Sequence, residues 1–152
     1  VGWHLSVIGD GAARADVEQA FARVPSDRLT WCGAQPASRV AASLDTSDVL
    51  VWPGRGEAYG LAYLEAASRG VPAVAMRTAG VPAVVVDGHT GLLTADGDAA
   101  AFASAIRRLS SDRALLTTLG PRAFAFVHET RSLDAAAAIL RSALIPIVGK
   151  AT

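Results

Sequence analysis

The sequence predicts an α/β fold, with a mostly parallel sheet flanked by helices. Short β-rich runs alternate with helical runs as far as residue 97, which is the pattern of parallel strands joined by crossover helices. The run Asp48–Trp52 is almost wholly apolar, as is typical of a strand covered on both faces. After Asp98 the pattern becomes wholly helical, to about residue 145. The length of 152 residues predicts a single domain over residues 1–152.

Two predicted strands open the chain, and each is followed by a glycine-bearing loop and a helix. The strands are Trp3–Ile8 and Leu29–Cys32, and the helices are Ala12–Arg23 and Ser38–Leu44. Apolar residues recur at helical spacing in the first helix, and they predict a packing face formed by Val17, Ala20, Phe21 and Val24.

Three further strands are predicted in the middle of the chain, at Asp48–Trp52, Ala73–Met76 and Gly91–Leu93. A helix from about Gly60 to Ser68 lies between the first two, and a glycine and a proline follow it, as is common where a helix stops. Val81–Val86 is predicted as a short helix or turn.

Three helices are predicted at the C-terminal end, at roughly Asp98–Leu109, Asp112–Phe126 and Ser132–Leu144. Each begins at an aspartate or serine, whose side-chain oxygen accepts a hydrogen bond from a free N–H group of the first turn.

The charges and the cysteine count exclude several classes of protein. Fourteen Lys and Arg residues balance fourteen Asp and Glu residues, so no nucleic-acid partner and no polybasic membrane patch is expected. Cys32 is the single cysteine, which excludes an internal disulfide and fits a reducing compartment. No apolar run approaches the ~20 residues that span a bilayer.

A functional site is expected at the carboxyl ends of the predicted strands, because ligands bind there in open α/β sheets. Four glycine-bearing loops lie at these ends, at residues 9–11, 33–35, 53–60 and 77–80. The first loop half-resembles a dinucleotide fingerprint, but Arg14 replaces the third glycine and no acid follows the second strand. We therefore do not expect NAD as a ligand.

Two glutamates, Glu57 and Glu65, lie eight positions apart around the start of the helix predicted from Gly60. Eight helical steps separate them by about 12 Å, comparable to a diphosphate that carries a sugar at each end. A carboxylate accepts hydrogen bonds from a vicinal diol, and a helix N-terminus favours phosphate. A second interpretation stays open on these residues alone, since the helix dipole also favours an acid near the N-terminus, and Glu65 fits an ordinary solvated position.

The context of these glutamates resembles the donor-binding domain of the family 4, or group 1, glycosyltransferases. The run DVLVWP precedes E-x-Y-G-L, L-E-A and G-V-P-A-V-A, which is similar to the family's E-x7-E motif and its flanks. Three more segments resemble family motifs in the same order and spacing, namely LSVIGDG from Leu5, LTWCG from Leu29 and VDGHTGLL from Val86.

The resemblance implies the GT-B architecture, in which two Rossmann-like domains enclose a cleft and the C-terminal one binds the sugar nucleotide. Glu57 matches the glutamate that faces the donor sugar and is the implied catalytic residue. Glu65 matches the glutamate that binds the ribose hydroxyls. The turn whose backbone N–H groups meet the sugar and diphosphate corresponds to Ala58, Tyr59, Gly60 and Leu61.

Two further loops acquire implied roles from the same resemblance. Gly33, Ala34 and Gln35 match a loop near the nucleotide base. Thr78 to Gly80 match a loop on the far side of the donor pocket.

The resemblance also implies the substrates and partners. The donor would be a nucleotide-sugar, such as a UDP-, GDP- or ADP-sugar, used by a retaining transferase that needs no metal or other cofactor. The acceptor would be bound by an N-terminal domain missing from this chain, so the chain alone is expected to be inactive. The parent protein is expected in the cytoplasm, including the inner face of the membrane. Two alternatives stay open: a non-catalytic nucleotide-binding module and a GT-B-type sugar-nucleotide epimerase.

Two features depart from the family pattern. Ala83 stands where many relatives carry a glutamate, and no strand ending in G-R, which supplies basic diphosphate ligands, precedes Trp3. That strand is central in the family's order, 3-2-1-4-5-6. We therefore expect its two flanking strands to pair directly or another chain to fill the space, with a homodimer or a strand swap as the result.

Several other residues that could have a functional role are predicted to be structural. Arg55 and Arg77 lie near the expected site but fit ordinary exposed positions. Cys32 is predicted to be buried within its strand. The three tryptophans are predicted to pack on strands, at Trp3, Trp31 and Trp52.

Overall fold

The computed structural model describes residues 2–148, and the side chains of residues 2–145. Its strands and helices confirm the predicted α/β class. In chain order the elements are β1 (Leu5–Ile8), α1 (Arg14–Ala20), β2 (Leu29–Gly33), α2 (Ala37–Asp45), β3 (Leu50–Val51), α3 (Leu61–Ala67), β4 (Ala73–Met76), β5 (Gly91–Thr94), α4 (Ala99–Ser111), α5 (Arg113–Thr130) and α6 (Leu133–Val148). Single turns of 3-10 helix lie at Ser26–Arg28 and Val81–Ala83.

The described strands form two parallel sheets, β1–β2 and β3–β4–β5. β4 pairs along its whole length with β5, whereas it pairs with β3 through Leu50 and Val51 only. Within residues 2–148, β1 does not pair with β3. The direct pairing that was predicted for these two strands is therefore not formed within the described residues.

The chain divides into two compact units, with the boundary between Thr46 and Ser47. Unit 1 contains β1, α1, β2 and α2, and unit 2 contains all later elements.

The core of unit 2 covers both faces of β4, all four residues of which are buried. Successive strand residues point to opposite faces, so Ala73 and Ala75 join one cluster while Val74 joins the other. The remaining buried members of the first cluster are Tyr63, Val81, Val84, Val85 and Leu93. Those of the second cluster are Leu92, Leu109 and Leu119.

Unit 1 is much less buried. Among the described residues of this unit, Leu44 is the only buried hydrophobic side chain. Helix α1 buries none of its residues, and Val17 is 38% exposed, so the predicted packing face is realised only in part. Phe21 meets Trp31 edge-on, with ring centroids 6.0 Å apart.

The helix ends follow the predicted chemistry. Asp98 and Asp112 accept hydrogen bonds from backbone N–H groups in the first turns of α4 and α5, at 2.8 and 2.9 Å. Ser132 does the same for α6, at 3.1 Å. Gly70, after α3, adopts a φ of 72°, which is the left-handed conformation common where helices end. None of the helices described within residues 2–148 is long and apolar enough to cross a membrane.

Several predicted placements are wrong. Trp3 and Trp52 lie outside the strands and are 45% and 44% exposed, so only Trp31 lies on a strand. Cys32 is half-buried rather than buried. The strand predicted at Asp48–Trp52 is limited to Leu50–Val51, which pair with Ala73 and Val74 of β4.

Candidate functional site

The segment Pro53–Gly60, called here the 53–60 turn, joins β3 to α3 at the carboxyl end of β3. Gly54, Gly56 and Gly60 have φ values of 79°, 76° and 97°, a backbone conformation that residues with a side chain rarely adopt. The backbone N–H of Glu57 donates to the carbonyl oxygen of Gly54 at 3.0 Å. The glycines thus let the chain fold into a tight loop that presents Glu57 just before the helix.

Glu57 is half-buried, and its Oε1 accepts a hydrogen bond from the backbone N–H of Gly60 at 3.0 Å. The carboxylate therefore stabilises the entry to α3, as the helix-start interpretation requires. A carboxylate has two oxygens and about four acceptor positions, so this one bond leaves capacity for hydroxyl groups of a ligand. The structural role and a binding role are compatible.

Glu65 lies on α3 and is exposed to solvent. The N–H groups of Leu61 and Ala62 belong to the first turn of the same helix and have no intrahelical acceptor. The helix thus carries free donors at its start and a free carboxylate further along.

The loop Thr78–Gly80 packs against the 53–60 turn. A Cβ atom on Gly80 would lie 2.5 Å from the carbonyl oxygen of Ala58 and 3.2 Å from Cα of Tyr59, so only glycine allows this approach. Ala79 has a φ of 42° and is the only non-glycine residue within 2–148 with a positive φ. The structure therefore brings together two of the loops predicted at the site, and one of them is strained.

Tyr63 is a residue that the sequence interpretation missed. It is 1% exposed, and its Oη donates to the carbonyl oxygen of Trp52 at 2.8 Å. Burial raises the pKa of Tyr63, and the negative charge of Glu57 raises it further. Residues 63, 66 and 67 are all buried, and their helical spacing was the signal that would have marked Tyr63 as part of the core. The more conspicuous Tyr59 is 44% exposed.

The two arginines near the site have different surroundings. Arg77 Nη2 contacts Asp87 Oδ2 at 3.1 Å, and Asp87 Oδ1 accepts from the N–H of Leu93 at 2.9 Å. Arg77 is thus linked through Asp87 to Leu93 in β5. Arg55 lies exposed between two glycines of the 53–60 turn, as predicted.

In unit 1, the predicted base-contacting loop follows β2. Gly33 has a φ of 63°, and its carbonyl oxygen accepts from the N–H of Gly9 at 2.8 Å. Ala34 and Gln35 are exposed, and the amide of Gln35 donates to the carbonyl oxygen of Cys32. The loop is therefore joined to the end of β1 by the backbone and leaves its side chains accessible.

A second feature of unit 1 is an exposed ion-pair network beside that loop. Arg14 contacts Asp10 at 3.1 Å and Glu18 at 2.8 Å. Both partners raise the pKa of Arg14, Glu18 more than Asp10.

Within residues 2–148 there is no group of three or more His, Cys, Asp or Glu side chains placed to hold a metal ion.

The chain is similar in sequence to known proteins. A family model described as glycosyl transferases group 1 matches residues 2–112. The chain is 32% identical over 122 residues to sulfoquinovosyl transferase from Arabidopsis thaliana, an alignment of 78% of this chain and 23% of that protein. The chain spans 23% to 32% of the length of the first three curated relatives it matches.

Two solved structures share the fold. Sucrose-phosphate synthase from Thermosynechococcus elongatus superposes with a TM-score of 0.78 at 27% identity, over 98% of this chain and 39% of that one. HepE from Anabaena, in complex with UDP-glucose, superposes with a TM-score of 0.73 at 22% identity, over 88% of this chain and 38% of that one.

Proposed function

Because the chain belongs to the group 1 glycosyl transferases, we propose that it is the donor-binding domain of a retaining transferase of GT-B architecture. Transfer of a sugar from a nucleotide-sugar is the general activity that its relatives support. The observation that carries the proposal is the 53–60 turn, which holds the half-buried carboxylate of Glu57 at the entry to α3, with Glu65 on the same helix.

The donor is a nucleotide-sugar, for which the UDP-glucose complex of the similar HepE fold is a precedent. Glu57 accepts hydrogen bonds from the sugar, and Glu65 accepts them from the ribose hydroxyls. Backbone N–H groups of residues 58–61 meet the diphosphate. Gly33, Ala34 and Gln35 lie near the base, and Thr78 and Gly80 line the far side of the pocket.

The chemistry of transfer fits these groups. As the bond between the anomeric carbon and the diphosphate breaks, positive charge develops on the sugar and negative charge on the leaving nucleoside diphosphate. A carboxylate on the sugar side stabilises the first charge, and backbone N–H groups stabilise the second. Glu57 is the catalytic residue of this proposal, and no metal ion is required.

Transfer to an acceptor needs more than this chain. The relatives are three to four times longer than the part that aligns. We propose that an N-terminal domain of the parent protein binds the acceptor, and that the 152-residue chain alone binds the donor without transferring the sugar.

A homodimer or a strand swap is the remaining part of the proposal. Within residues 2–148, β1 pairs on one side only, with β2, and β3 pairs on one side only, with β4. Such open edges in parallel sheets favour pairing with a further strand. Sedimentation equilibrium of the chain would show a dimer, and a monomer at all concentrations would contradict this.

Calorimetric titration of the full-length protein with UDP-, GDP- and ADP-glucose tests the proposed function. We expect one of the three to bind, in the presence of EDTA as well as in its absence. The Glu65→Ala variant should weaken that binding about tenfold, because each hydrogen bond to a charged group contributes ~1.5–3 kcal/mol. Its melting temperature should not change, because Glu65 is exposed.

Glu129→Ala is the matched control, since Glu129 is an exposed glutamate near the end of α5. It should bind the donor like the unsubstituted protein. Equal losses in the two variants, or no binding of any nucleotide-sugar to the unsubstituted protein, would contradict the donor-site assignment.

A further inference from the structure

The 53–60 turn needs support from outside itself. Three of its eight residues are glycines in the left-handed region, and glycine loses more conformational freedom on folding than any other residue. The hydrogen bonds within the turn, from Glu57 N–H to Gly54 and from Gly60 N–H to Glu57, are local. From outside the turn, the N–H of Met76 in β4 donates to the carbonyl oxygen of Pro53 at 3.3 Å and Gly80 packs on Ala58, and neither contact acts on the residues at the helix entry.

Tyr63 contacts both ends of this turn. Its Oη donates to the carbonyl oxygen of Trp52, one residue before the turn begins. A Cβ on Gly54 would lie 2.8 Å from that hydroxyl oxygen, and a Cβ on Gly60 would lie 2.6 Å from Cδ2 of the ring. The hydroxyl thus fixes the strand exit, and the ring fixes the helix entry.

The hydroxyl group is not needed for packing. The cluster around Tyr63 is otherwise apolar, so a phenylalanine would supply the same ring contacts. Burying a hydroxyl costs free energy unless it is hydrogen-bonded. Here the hydroxyl donates to the carbonyl oxygen of Trp52, which directly follows β3. Burial raises the pKa of this phenol, and the negative charge of Glu57 raises it further.

We propose that Tyr63 is the positioning residue of the donor site: its hydroxyl bond to Trp52 and its ring contact with Gly60 hold the 53–60 turn so that Glu57 faces the donor sugar. This inference rests on the proposed function. Tyr63 is buried and does not itself touch the donor.

A positioning role for Tyr63 predicts a specific pattern of changes in ligand binding. Because Tyr63 acts through the turn that carries Glu57, loss of its hydroxyl should weaken binding of the sugar part of the donor. The ribose contact through Glu65, on the exposed face of α3, should persist. Binding of a nucleotide-sugar should therefore suffer more than binding of the free nucleoside diphosphate.

The test is calorimetric titration of full-length Tyr63→Phe with UDP-glucose and with UDP, or with the GDP or ADP pair if the first titration selects that base. We expect about tenfold weaker binding of UDP-glucose, as for a lost hydrogen bond, and less than about threefold weaker binding of UDP. Leu119→Val, in the other core cluster, is the control for reduced stability alone and should leave both affinities unchanged.

Combining Tyr63→Phe with Glu57→Gln tests the route of the effect. If Tyr63 acts through Glu57, the double variant should bind UDP-glucose little more weakly than Glu57→Gln alone. Hydrogen exchange by mass spectrometry should show faster exchange of peptides covering residues 53–60 in Tyr63→Phe, with residues 105–119 unchanged; this measurement needs no ligand.

Three results would overturn the inference. They are unchanged UDP-glucose binding by Tyr63→Phe, equal weakening of UDP and UDP-glucose, and equal weakening by Leu119→Val. Failure of the unsubstituted protein to bind any nucleotide-sugar is a different result, which overturns the proposed function and removes the premise of this inference with it.

Discussion

The two compact units hold their glycine-bearing loops in different ways. In unit 2, Gly80 approaches the backbone of Ala58 so closely that a Cβ has no room. In unit 1, a Cβ on Gly9 or Gly11 would meet nothing within 4 Å. One backbone hydrogen bond joins the two loops of unit 1, and an exposed ion pair joins the first of them to α1, whereas the loops of unit 2 pack tightly against each other.

This difference predicts which part of the donor site is rigid. Close-packed contacts resist displacement, while exposed ion pairs contribute little to stability. On the proposed function, the loops that meet the sugar and diphosphate have fixed geometry, and the loop near the base adapts.

The largest difference between the units should appear on adding a methyl group to a loop glycine. Gly80→Ala should lower the free energy of unfolding by ~1–3 kcal/mol, because the backbone atoms of Ala58 cannot move aside without disturbing the turn. Gly11→Ala is the matched substitution in unit 1 and should change stability by less than ~0.5 kcal/mol. Denaturant titration measures both, and similar values would contradict the contrast.

A smaller effect should appear at high pH, through the buried Tyr63. Its pKa in the folded protein is raised by burial and by Glu57, whereas in the unfolded chain it lies near ~10. The unfolded chain therefore loses this proton first as the pH rises. The stability from this group is fully present below pH ~10 and falls by up to ~1.4 kcal/mol per pH unit above it.

Tyr59 provides the control for this pH dependence, since it is the only other tyrosine and is 44% exposed. Denaturant titrations at several pH values from 9 to 11 measure how the free energy of unfolding depends on pH. We expect this dependence to disappear in Tyr63→Phe and to remain in Tyr59→Phe. The same slope in both variants would show that Tyr63 does not titrate as a buried group.

Much of the fold of unit 2 was predictable because local signals and packing agree there. Ala73–Met76 occupies the predicted residues, since an apolar run between Pro72 and Arg77 allows no other register. Asp98 and Asp112 cap their helices through chemistry that depends only on neighbouring residues.

The errors concern where individual elements begin and end. The strand predicted at Asp48–Trp52 is limited to Leu50–Val51, and helix α1 ends at Ala20 rather than Arg23. Local propensity carries no information about either limit.

The candidate site was likewise predictable only in part. The E-x7-E spacing located Glu57 and Glu65, and the glycines indicated a tight turn. Tyr63 escaped notice because its role depends on the tertiary contacts with Trp52, Gly54 and Gly60. The strain at Ala79 likewise follows from packing, since no sequence rule assigns an alanine a φ of 42°.

A crystal structure of the protein with its bound nucleotide-sugar tests the central claim. The account predicts hydrogen bonds from the sugar hydroxyls to the Glu57 carboxylate and from the ribose hydroxyls to Glu65, with the diphosphate at the start of α3. A donor bound elsewhere, with both carboxylates facing bulk water, would contradict it.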